Sequence, residues 1–382
     1  MNTSYYPWQK TIWQKIYVKP LESEHFPHAL LLAGVSGIGK KVLANTLARG
    51  LLCRSPQVNP QSGLLEPCQI NSSAEVHANN HCCRACQLFT AGNHPDFNYI
   101  TTPEDKKVIP VDAIRDLIQW SVMSSQMEGR KVIIIEPAES MNVNAANSLL
   151  KTLEEPVANT IIILLSNKKQ ALLPTIRSRC QTIDLPLPET QQAVQWLQGN
   201  LPDTIENSTP RDANLLLSLA AGAPLLALHL AQSTQLDSRQ QIVNDLLSII
   251  IASTDPVAIA ESLFKLTKLK ATKMPKVKAS KLNSSKLKPS KNKQLPIMAY
   301  DVIYWLDAIV SDIARLAHGC ELSLITNTDL EDKMTLISTQ LSIKKLLKLS
   351  DAINKAYYEI QGQININLLF EKLLIDWKNC KI

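Results

Sequence analysis

The sequence predicts a parallel α/β domain over residues 1–187, followed by a region made only of helices. Three observations predict this fold class. Strand and helix patterns alternate up to Leu185, and such alternation is typical of a parallel sheet covered by helices. A glycine-rich loop joins the first apolar strand to a helix, an arrangement whose backbone N–H groups bind phosphate. After Pro186-Leu-Pro188, which predicts a hinge, only helical patterns remain.

The individual elements follow from apolar runs for strands and apolar residues at helical spacing for helices. Ala29–Ala33 is the first apolar run, and Val42, Leu43 and Leu47 predict a helix that begins directly after the glycine loop. Further strands are predicted at Phe97–Thr101, Val132–Ile135, Thr160–Leu165 and Thr182–Leu185. Helices are predicted at Lys40–Leu52, Val111–Ser121, Ala145–Leu153, Leu172–Ser178, Glu189–Leu197, Asp212–Ala220 and Pro224–Leu230, with a longer helical region from Asp237 onward.

The glycine loop retains the residues of a phosphate-binding loop but lacks its metal ligand. Gly34, Gly37, Gly39 and Lys40 match the positions that cradle phosphate. The next position should be Ser or Thr, because that hydroxyl ligates the magnesium ion that bridges the phosphates. It is Lys41, a cation. The loop is therefore predicted to be degenerate and not to bind ATP, and phosphate binding at Lys40 without hydrolysis stays open as the alternative.

A second departure concerns the catalytic acids. Glu136 ends a buried strand, where a magnesium-holding carboxylate is expected. The following position, where a residue that orients the attacking water is expected, is Pro137. Proline neither accepts a proton nor orients a water molecule. The two departures together predict that the chain has no ATP hydrolysis of its own.

The charge is unevenly distributed. The net charge is +6, yet residues 265–293 contain eleven lysines and no acid, and 29 basic and 34 acidic side chains remain elsewhere. Low hydrophobicity with many like charges predicts that the insertion 265–295 is disordered. Two interpretations stay open: a non-specific DNA tether, and a solvated insertion between helices. Because the segment has no aromatic residue, any DNA binding would be electrostatic.

The sequence predicts a cytoplasmic protein. Its first fifteen residues lack the apolar core of a signal peptide, and no apolar run approaches the ~20 residues that cross a bilayer. In that compartment the eight cysteines are expected to be thiols or metal ligands rather than disulfides.

The segment Asn144-Ala-Ala-Asn-Ser-Leu-Leu-Lys-Thr-Leu-Glu-Glu-Pro156 resembles bacterial clamp-loader ATPase subunits. Ser166-Asn167, the run from Leu173 to Cys180 and the degenerate loop strengthen the resemblance, which is good up to about residue 235. The resemblance is weaker beyond that point, although Ile364–Trp377 still resembles the last helix of the family. Within the family, the damaged nucleotide site favours a passive member over the ATPase motor.

The resemblance implies an AAA+ architecture. A RecA-like domain is expected at 1–187, a helical lid at 188–235, and a helical collar that joins five subunits in a ring at 236–382. It also implies that Arg179, within the motif Ser178-Arg179-Cys180, is an arginine finger that stabilises charge at a neighbouring subunit's ATP site. Ser166-Asn167, where hydrolytic relatives sense phosphate, is expected to cap the end of a strand.

The cysteines also match the family in part. Cys83 and Cys86 have the two-residue spacing with which thiolates bind zinc. The family inserts a four-cysteine zinc module at 53–86, in which Cys53 matches the first ligand and Cys83 and Cys86 match the last two. Asn80 stands where the family has a cysteine. A structural zinc is predicted with Cys68 as fourth ligand, and Cys82 and His81 remain alternatives.

The implied partners are the gamma/tau motor subunits and a delta subunit, with the sliding clamp and primed DNA reached through the complex. The chain is then part of the DNA polymerase III holoenzyme, located at the replisome or nucleoid. Two other functions stay open at this point. One is an active ATPase motor of the same family. The other is a zinc-containing DNA-binding protein outside replication, which requires the match at Asn144–Pro156 to be accidental.

Overall fold

The computed structural model describes residues 5–23, 25–68, 82–103, 108–127, 129–201, 212–232, 235–268, 298–360 and 364–382. The chain forms two compact units, Met1–Gln192 and Ala193–Ile382. The predicted fold class is confirmed: the first unit is a parallel α/β domain, and the described part of the second unit is helical. The further division of the helical region into lid and collar stays a prediction.

The strands of the first unit lie close to the predicted positions. They are β1 Ala29–Ala33, β2 Gln57–Val58, β3 Leu65–Glu66, β4 Phe97–Thr101, β5 Lys131–Glu136, β6 Thr160–Ser166 and β7 Gln181–Asp184. Five of them form one parallel sheet in the order β4-β5-β6-β1-β7, and β2 pairs with β3 in a separate antiparallel hairpin. All residues of β1 and β6 are buried, as the continuous apolar runs of central parallel strands require.

Seven helices accompany this sheet in the described part of the unit. They are α1 Lys10–Trp13, α2 Lys19–Glu22, α3 Lys40–Leu52, α4 Arg84–Thr90, α5 Val111–Val122, α6 Val143–Glu154 and α7 Pro174–Arg179. Helix α6 begins two residues before the predicted Ala145, because Asn142 caps it and accepts a hydrogen bond from the Ala145 N–H (2.7 Å). Helix α7 begins at Pro174 rather than at the predicted Leu172, since Leu172 is extended and proline occupies the first helical position.

The second unit is built on one hydrophobic core. Its helices are α8 Thr190–Gln198, which begins in the first unit, α9 Ala213–Leu219, α10 Pro224–Gln232, α11 Gln235–Ile251, α12 Pro256–Lys268, α13 Ala299–Ala317, α14 Glu331–Ser338, α15 Ile343–Glu359 and α16 Ile366–Lys378. The predicted last helix of the family is present as α16, whose Trp377 is fully buried and donates from Nε1 to the Leu246 carbonyl (2.9 Å).

The Lys-rich segment lies mostly outside the described residues. Its first residues, Lys265 to Lys268, continue helix α12, so the prediction of disorder is wrong for these four residues. Lys265 is held there by an ion pair with Glu261 one turn earlier (2.6 Å). In the described residues no single helix is long and apolar enough to span a membrane. Helices α9 and α10 pass that test only as a pair bent by 109°, and their buried residues pack in the core of the second unit.

Candidate functional site

The degenerate loop lies at the carboxyl edge of the parallel sheet, which is where open α/β sheets bind ligands. The loop leaves β1 at Gly34, and β5, β6 and β7 end at the same edge. This topology brings Glu136 and Asn167 beside the loop, although they are far apart in sequence. The sequence-predicted loop residues and Glu136 are therefore in one place.

The loop needs two of its glycines for its backbone conformation. Gly37 and Gly39 have φ angles of +81° and +92°, which side chains rarely adopt. Gly39 also lacks space for a side chain, because an added Cβ would lie 2.4 Å from the Tyr6 ring. The aromatic ring of Tyr6 thus packs directly on the turn that precedes α3.

The ammonium of Lys40 is saturated by its own chain. It donates to the carbonyl oxygens of Gly34 and Val35 (both 2.7 Å) and to Oδ1 of Asn167 (2.8 Å). An ammonium has three protons, so these three acceptors use all of them. Lys40 is 6% exposed, and burial lowers its pKa, opposed by the nearby Glu139 and Glu136. A phosphate group would have to displace these contacts.

Lys41 stands in place of the magnesium ligand. Its Nζ lies 3.7 Å from Oε2 of Glu136 and 5.1 Å from the centre of the Tyr99 ring. The Tyr99 hydroxyl donates to the same Glu136 oxygen. Burial and this carboxylate raise the pKa of Tyr99. The carboxylate that would hold a metal ion is therefore paired with a cation and a phenol.

The roles of two residues at this site were not predicted from the sequence. Asn167 was expected to cap a strand, but its side chain accepts a hydrogen bond from Lys40. Glu139 accepts from the Asn167 N–H (3.0 Å), while its other oxygen is buried without a partner in the described structure. No motif marks Glu139, since only the fold of the turn after β5 brings it to Asn167.

The segment before α1 was also missed. Trp8 Nε1 and Gln9 Nε2 both donate to the Ile38 carbonyl (3.0 Å each), and Gln9 is fully buried. The Tyr6 N–H in turn donates to Oε1 of Gln9 (3.0 Å). These contacts tie the N-terminal segment to the glycine loop from outside.

The predicted arginine finger lies at the end of α7. Arg179 donates from one nitrogen to the Thr175 carbonyl (3.0 Å), and a second nitrogen lies 2.5 Å from Oε1 of Glu154. About a third of its side chain is exposed (34%). Within its motif, Ser178 donates to Thr175 (3.1 Å), whereas Cys180 is buried in the core, where burial raises its thiol pKa to about 11. Within the motif, the buried Cys180 anchors the end of α7, and the Arg179 guanidinium lies at the surface.

The structure brings four cysteines together at the other edge of the sheet. The Sγ atoms of Cys53, Cys68, Cys83 and Cys86 all lie within 4.8 Å of one another. Three Sγ–Sγ distances are 3.6 Å (Cys53 to Cys68), 3.8 Å (Cys53 to Cys83) and 3.6 Å (Cys68 to Cys83). Zinc–thiolate bonds of about 2.3 Å in a tetrahedron place sulfur atoms about 3.8 Å apart, so this group fits the ion.

Local structure explains why Cys68 joins this group. Cys53 follows the last residue of α3, and the β2–β3 hairpin returns the chain toward it. The Glu66 carboxylate locks the hairpin by accepting from Asn59 Nδ2 (3.0 Å) and Ser62 Oγ (2.9 Å). The hairpin therefore brings Cys68 beside Cys53, although fifteen residues separate them in the sequence.

Of the two alternative ligands, Cys82 is adjacent and His81 lies outside the described residues. The Cys82 sulfur is 3.5 Å from that of Cys68, but Cys82 is not one of the four mutually close thiols. A hydrogen bond from Cys86 lowers the pKa of the Cys53 thiol, and the same contact raises that of Cys86.

Comparisons with known proteins agree on one family. A family model described as DNA polymerase III, delta subunit, matches residues 8–189, and one described as its C-terminal domain matches residues 276–379. The DNA polymerase III subunit delta' of Pseudomonas aeruginosa is 39% identical over 258 residues, which cover 67% of this chain and 70% of that protein.

The Escherichia coli subunit delta' is 29% identical over 375 residues, covering 97% of this chain and 94% of its own length. Among solved structures, a DNA polymerase III gamma subunit-related protein from Thermotoga maritima is 15% identical with a TM-score of 0.41, and the match covers 98% of this chain and 100% of that one. From the family models and the sequence relatives, the chain belongs to the delta-prime family of DNA polymerase III subunits.

Proposed function

We propose that this chain is a non-hydrolysing, stator-like subunit of the bacterial clamp loader, which supplies Arg179 to the ATP site of a neighbouring subunit. The observation that carries the first half of this proposal is the saturation of Lys40. Gly34, Val35 and Asn167 take the three protons that would otherwise bind phosphate oxygens. A nucleotide at this loop would have to break these contacts and compete with them.

The surroundings of Lys40 support the same half of the proposal. Lys41 places a positive charge at the metal position and pairs with Glu136. Tyr6 packs on Gly39, so the loop has little freedom to rearrange around a ligand. Pro137 supplies no general base. Phosphoryl transfer needs phosphate contact, metal binding and water activation. The saturation of Lys40 affects the first, Lys41 the second and Pro137 the third.

The second half of the proposal concerns Arg179. Its guanidinium has five N–H donors, and the contacts with Thr175 and Glu154 leave others available at a partly exposed surface. Glu154 ends α6 and belongs to the segment that carries the family resemblance. Contacts within the chain thus fix the position of Arg179, and its remaining N–H donors are available to a partner subunit, as an arginine finger in trans requires.

The proposed partners are the gamma/tau motor subunits and the delta subunit of a hetero-pentamer. Through this complex the chain would act on the sliding clamp and primed DNA. The four cysteines are proposed to hold one structural zinc ion, since a closed set of four thiolates leaves no open position for catalysis. The DNA contact of the Lys-rich segment stays a prediction.

The test is the ATPase activity of the reconstituted complex with clamp and primed DNA. Arg179→Ala is expected to leave assembly intact and to lower turnover, because an arginine finger contributes roughly 10³–10⁵ in rate at the site it serves. The loss in the whole complex is smaller, since other sites keep their own fingers. Lys40→Ala is expected to leave turnover unchanged. Arg115→Ala, which removes an exposed arginine of α5, is the matched control.

The opposite result would favour the alternative function, an active motor subunit. Loss of turnover with Lys40→Ala, together with indifference to Arg179→Ala, would mean that the degenerate loop binds and uses ATP. ATP turnover by the purified chain alone would have the same meaning. Assembly of each variant complex is measured by size exclusion, so that a lost subunit is not mistaken for a lost finger.

A further inference from the structure

The side chain of Glu154 contacts the guanidinium group of Arg179. Its Oε1 lies 2.5 Å from Nη2 of Arg179, while Nη1 of the same arginine donates to the Thr175 carbonyl (3.0 Å). Because a guanidinium carries its N–H bonds in one rigid plane, two acceptors on two different terminal nitrogens fix both its position and its direction. Without Glu154, the Thr175 carbonyl alone would hold this group among the described residues, and the group could turn about that contact.

The backbone that carries Glu154 is anchored on two sides. Glu154 is the last residue of α6, and the preceding Leu153 is buried in the same hydrophobic core as Ile176 of α7. The Leu153 carbonyl also accepts a hydrogen bond from Nε2 of His28 (3.2 Å), the residue directly before β1. The end of α6 is therefore attached both to the sheet and to the helix that carries Arg179, so Glu154 can serve as a fixed support.

Stability does not explain this ion pair. The side chains of Arg179 and Glu154 are 34% and 47% exposed, and ion pairs exposed to this degree contribute little to folding. Glu154 also places a negative charge at the C-terminal end of α6, where the helix dipole disfavours it. An acid at this position is thus unfavourable for its own helix, and among the described residues its side chain contacts Arg179.

We infer that Glu154 is a positioning residue for the arginine finger: it sets the direction in which Arg179 presents its remaining N–H donors to the phosphates of a neighbouring ATP site. The inference rests on the proposed function of Arg179. A finger without this support would reach the site in many orientations, and misplacement by about 1 Å can cost about 10²-fold in rate. The opposite role, a carboxylate that restrains Arg179 and must be displaced, is not favoured, because the contact is with Nη2 and leaves other N–H groups for a phosphate.

The test is ATP turnover by the reconstituted complex with clamp and primed DNA, measured over a range of ATP concentrations to separate kcat from KM. Glu154→Ala is expected to reproduce most of the loss in kcat that Arg179→Ala causes, with KM unchanged, because the finger acts on the transition state. Glu154→Gln keeps an acceptor oxygen and should lose less. Glu155→Ala makes the same charge change at the next residue, which forms no ion pair with a described residue, and should keep wild-type turnover.

A double variant separates positioning from a structural role. When Glu154→Ala is added to Arg179→Ala, no further loss of turnover is expected, because no guanidinium is left to position. A structural role would lower turnover in both backgrounds. Assembly by size exclusion and the thermal unfolding of each Glu154 variant are expected to match the wild type, since this side chain is about half exposed.

Three results would overturn the inference and leave the proposed function standing, provided that turnover falls in Arg179→Ala. Unchanged or raised turnover in Glu154→Ala would mean that the carboxylate is dispensable or restrains the finger. An equal loss in Glu155→Ala would mean that negative charge at the helix end matters, and a further loss in the double variant would mean that Glu154 acts apart from Arg179. If Arg179→Ala itself keeps wild-type turnover, the proposed function fails and the inference fails with it.

Discussion

The glycine loop and the cysteine cluster lie in the same unit and differ in how their polar groups are satisfied. In the loop, carbonyl and amide oxygens of the chain itself take every proton of Lys40. In the cluster, four thiols face one another and have mainly each other as partners. The loop has the residues of a phosphate-binding motif, but contacts within the chain occupy its lysine. The cluster matches its cysteine motif only in part, yet four thiols lie close enough together to bind one metal ion. A motif alone therefore does not report whether a site is available.

The largest effect that would test this contrast is the loss of metal from the cluster. Cys53→Ser and Cys83→Ser are each expected to reduce bound zinc from about one ion per chain to nearly none, because a structural site needs all four ligands. The metal content is measured on purified protein, and hydrogen exchange in the β2–β3 hairpin should accelerate. Cys320→Ser, which alters an exposed cysteine far along the sequence, should keep the metal. Full zinc retention in Cys53→Ser would contradict the ligand assignment.

The next effect concerns the interior of the loop. Lys40→Ala is expected to lower the free energy of unfolding by about 1–3 kcal/mol, because it leaves the Gly34 and Val35 carbonyls and the Asn167 side chain without their donor. Chemical denaturation of the full chain measures it. If Lys40→Ala were as stable as the wild type, the lysine would not be held as described, and the loop would be open to phosphate.

A somewhat smaller effect is expected at the turn of the loop. Gly39→Ala places a side chain at a φ of +92° and against the Tyr6 ring, which should cost roughly 1–2 kcal/mol from the backbone together with the clash. Tyr6→Ala in the same chain removes the clash and also the stacking of this ring on Trp8, a loss that its single variant measures separately. The double variant should therefore recover part of the loss beyond the sum of the single effects, as a double-mutant cycle in thermal unfolding would show. Strict additivity would mean that Tyr6 does not cover the loop.

The smallest effect is expected from restoring the missing metal ligand. Lys41→Thr removes an ion pair whose lysine is 60% exposed, so stability should change by less than about 1 kcal/mol. ATP turnover by the isolated chain should remain absent, because Lys40 stays saturated and Pro137 still supplies no base. Nucleotide binding and phosphate release are measured together. Turnover in Lys41→Thr would show that one residue, rather than the closed loop, keeps the site passive.

The sequence predicted much of the fold because local patterns decide it. The bounds of β1, β4 and α3 agree with prediction, since a continuous apolar run and a glycine turn leave few alternatives. Helix ends at α6 and α7 were displaced by two residues because capping by Asn142 and the extended Leu172 depend on side-chain contacts. The position of Glu136 at the end of a buried strand predicted that it belongs to the nucleotide site, but nothing local in the sequence placed Glu139 or Gln9 there.

The sequence by itself determined the fold class, the family and the identity of the residues that depart from an active nucleotide site. These properties depend on residue types at fixed spacing, such as Lys41 directly after Lys40. Only the tertiary structure decided that Lys40 is saturated, that Tyr6 packs on Gly39, and that the β2–β3 hairpin brings Cys68 to Cys53. The physical reason is that hydrogen bonds and metal-ligand groups depend on distances in space, and parallel strands with crossover helices join residues that lie far apart along the chain.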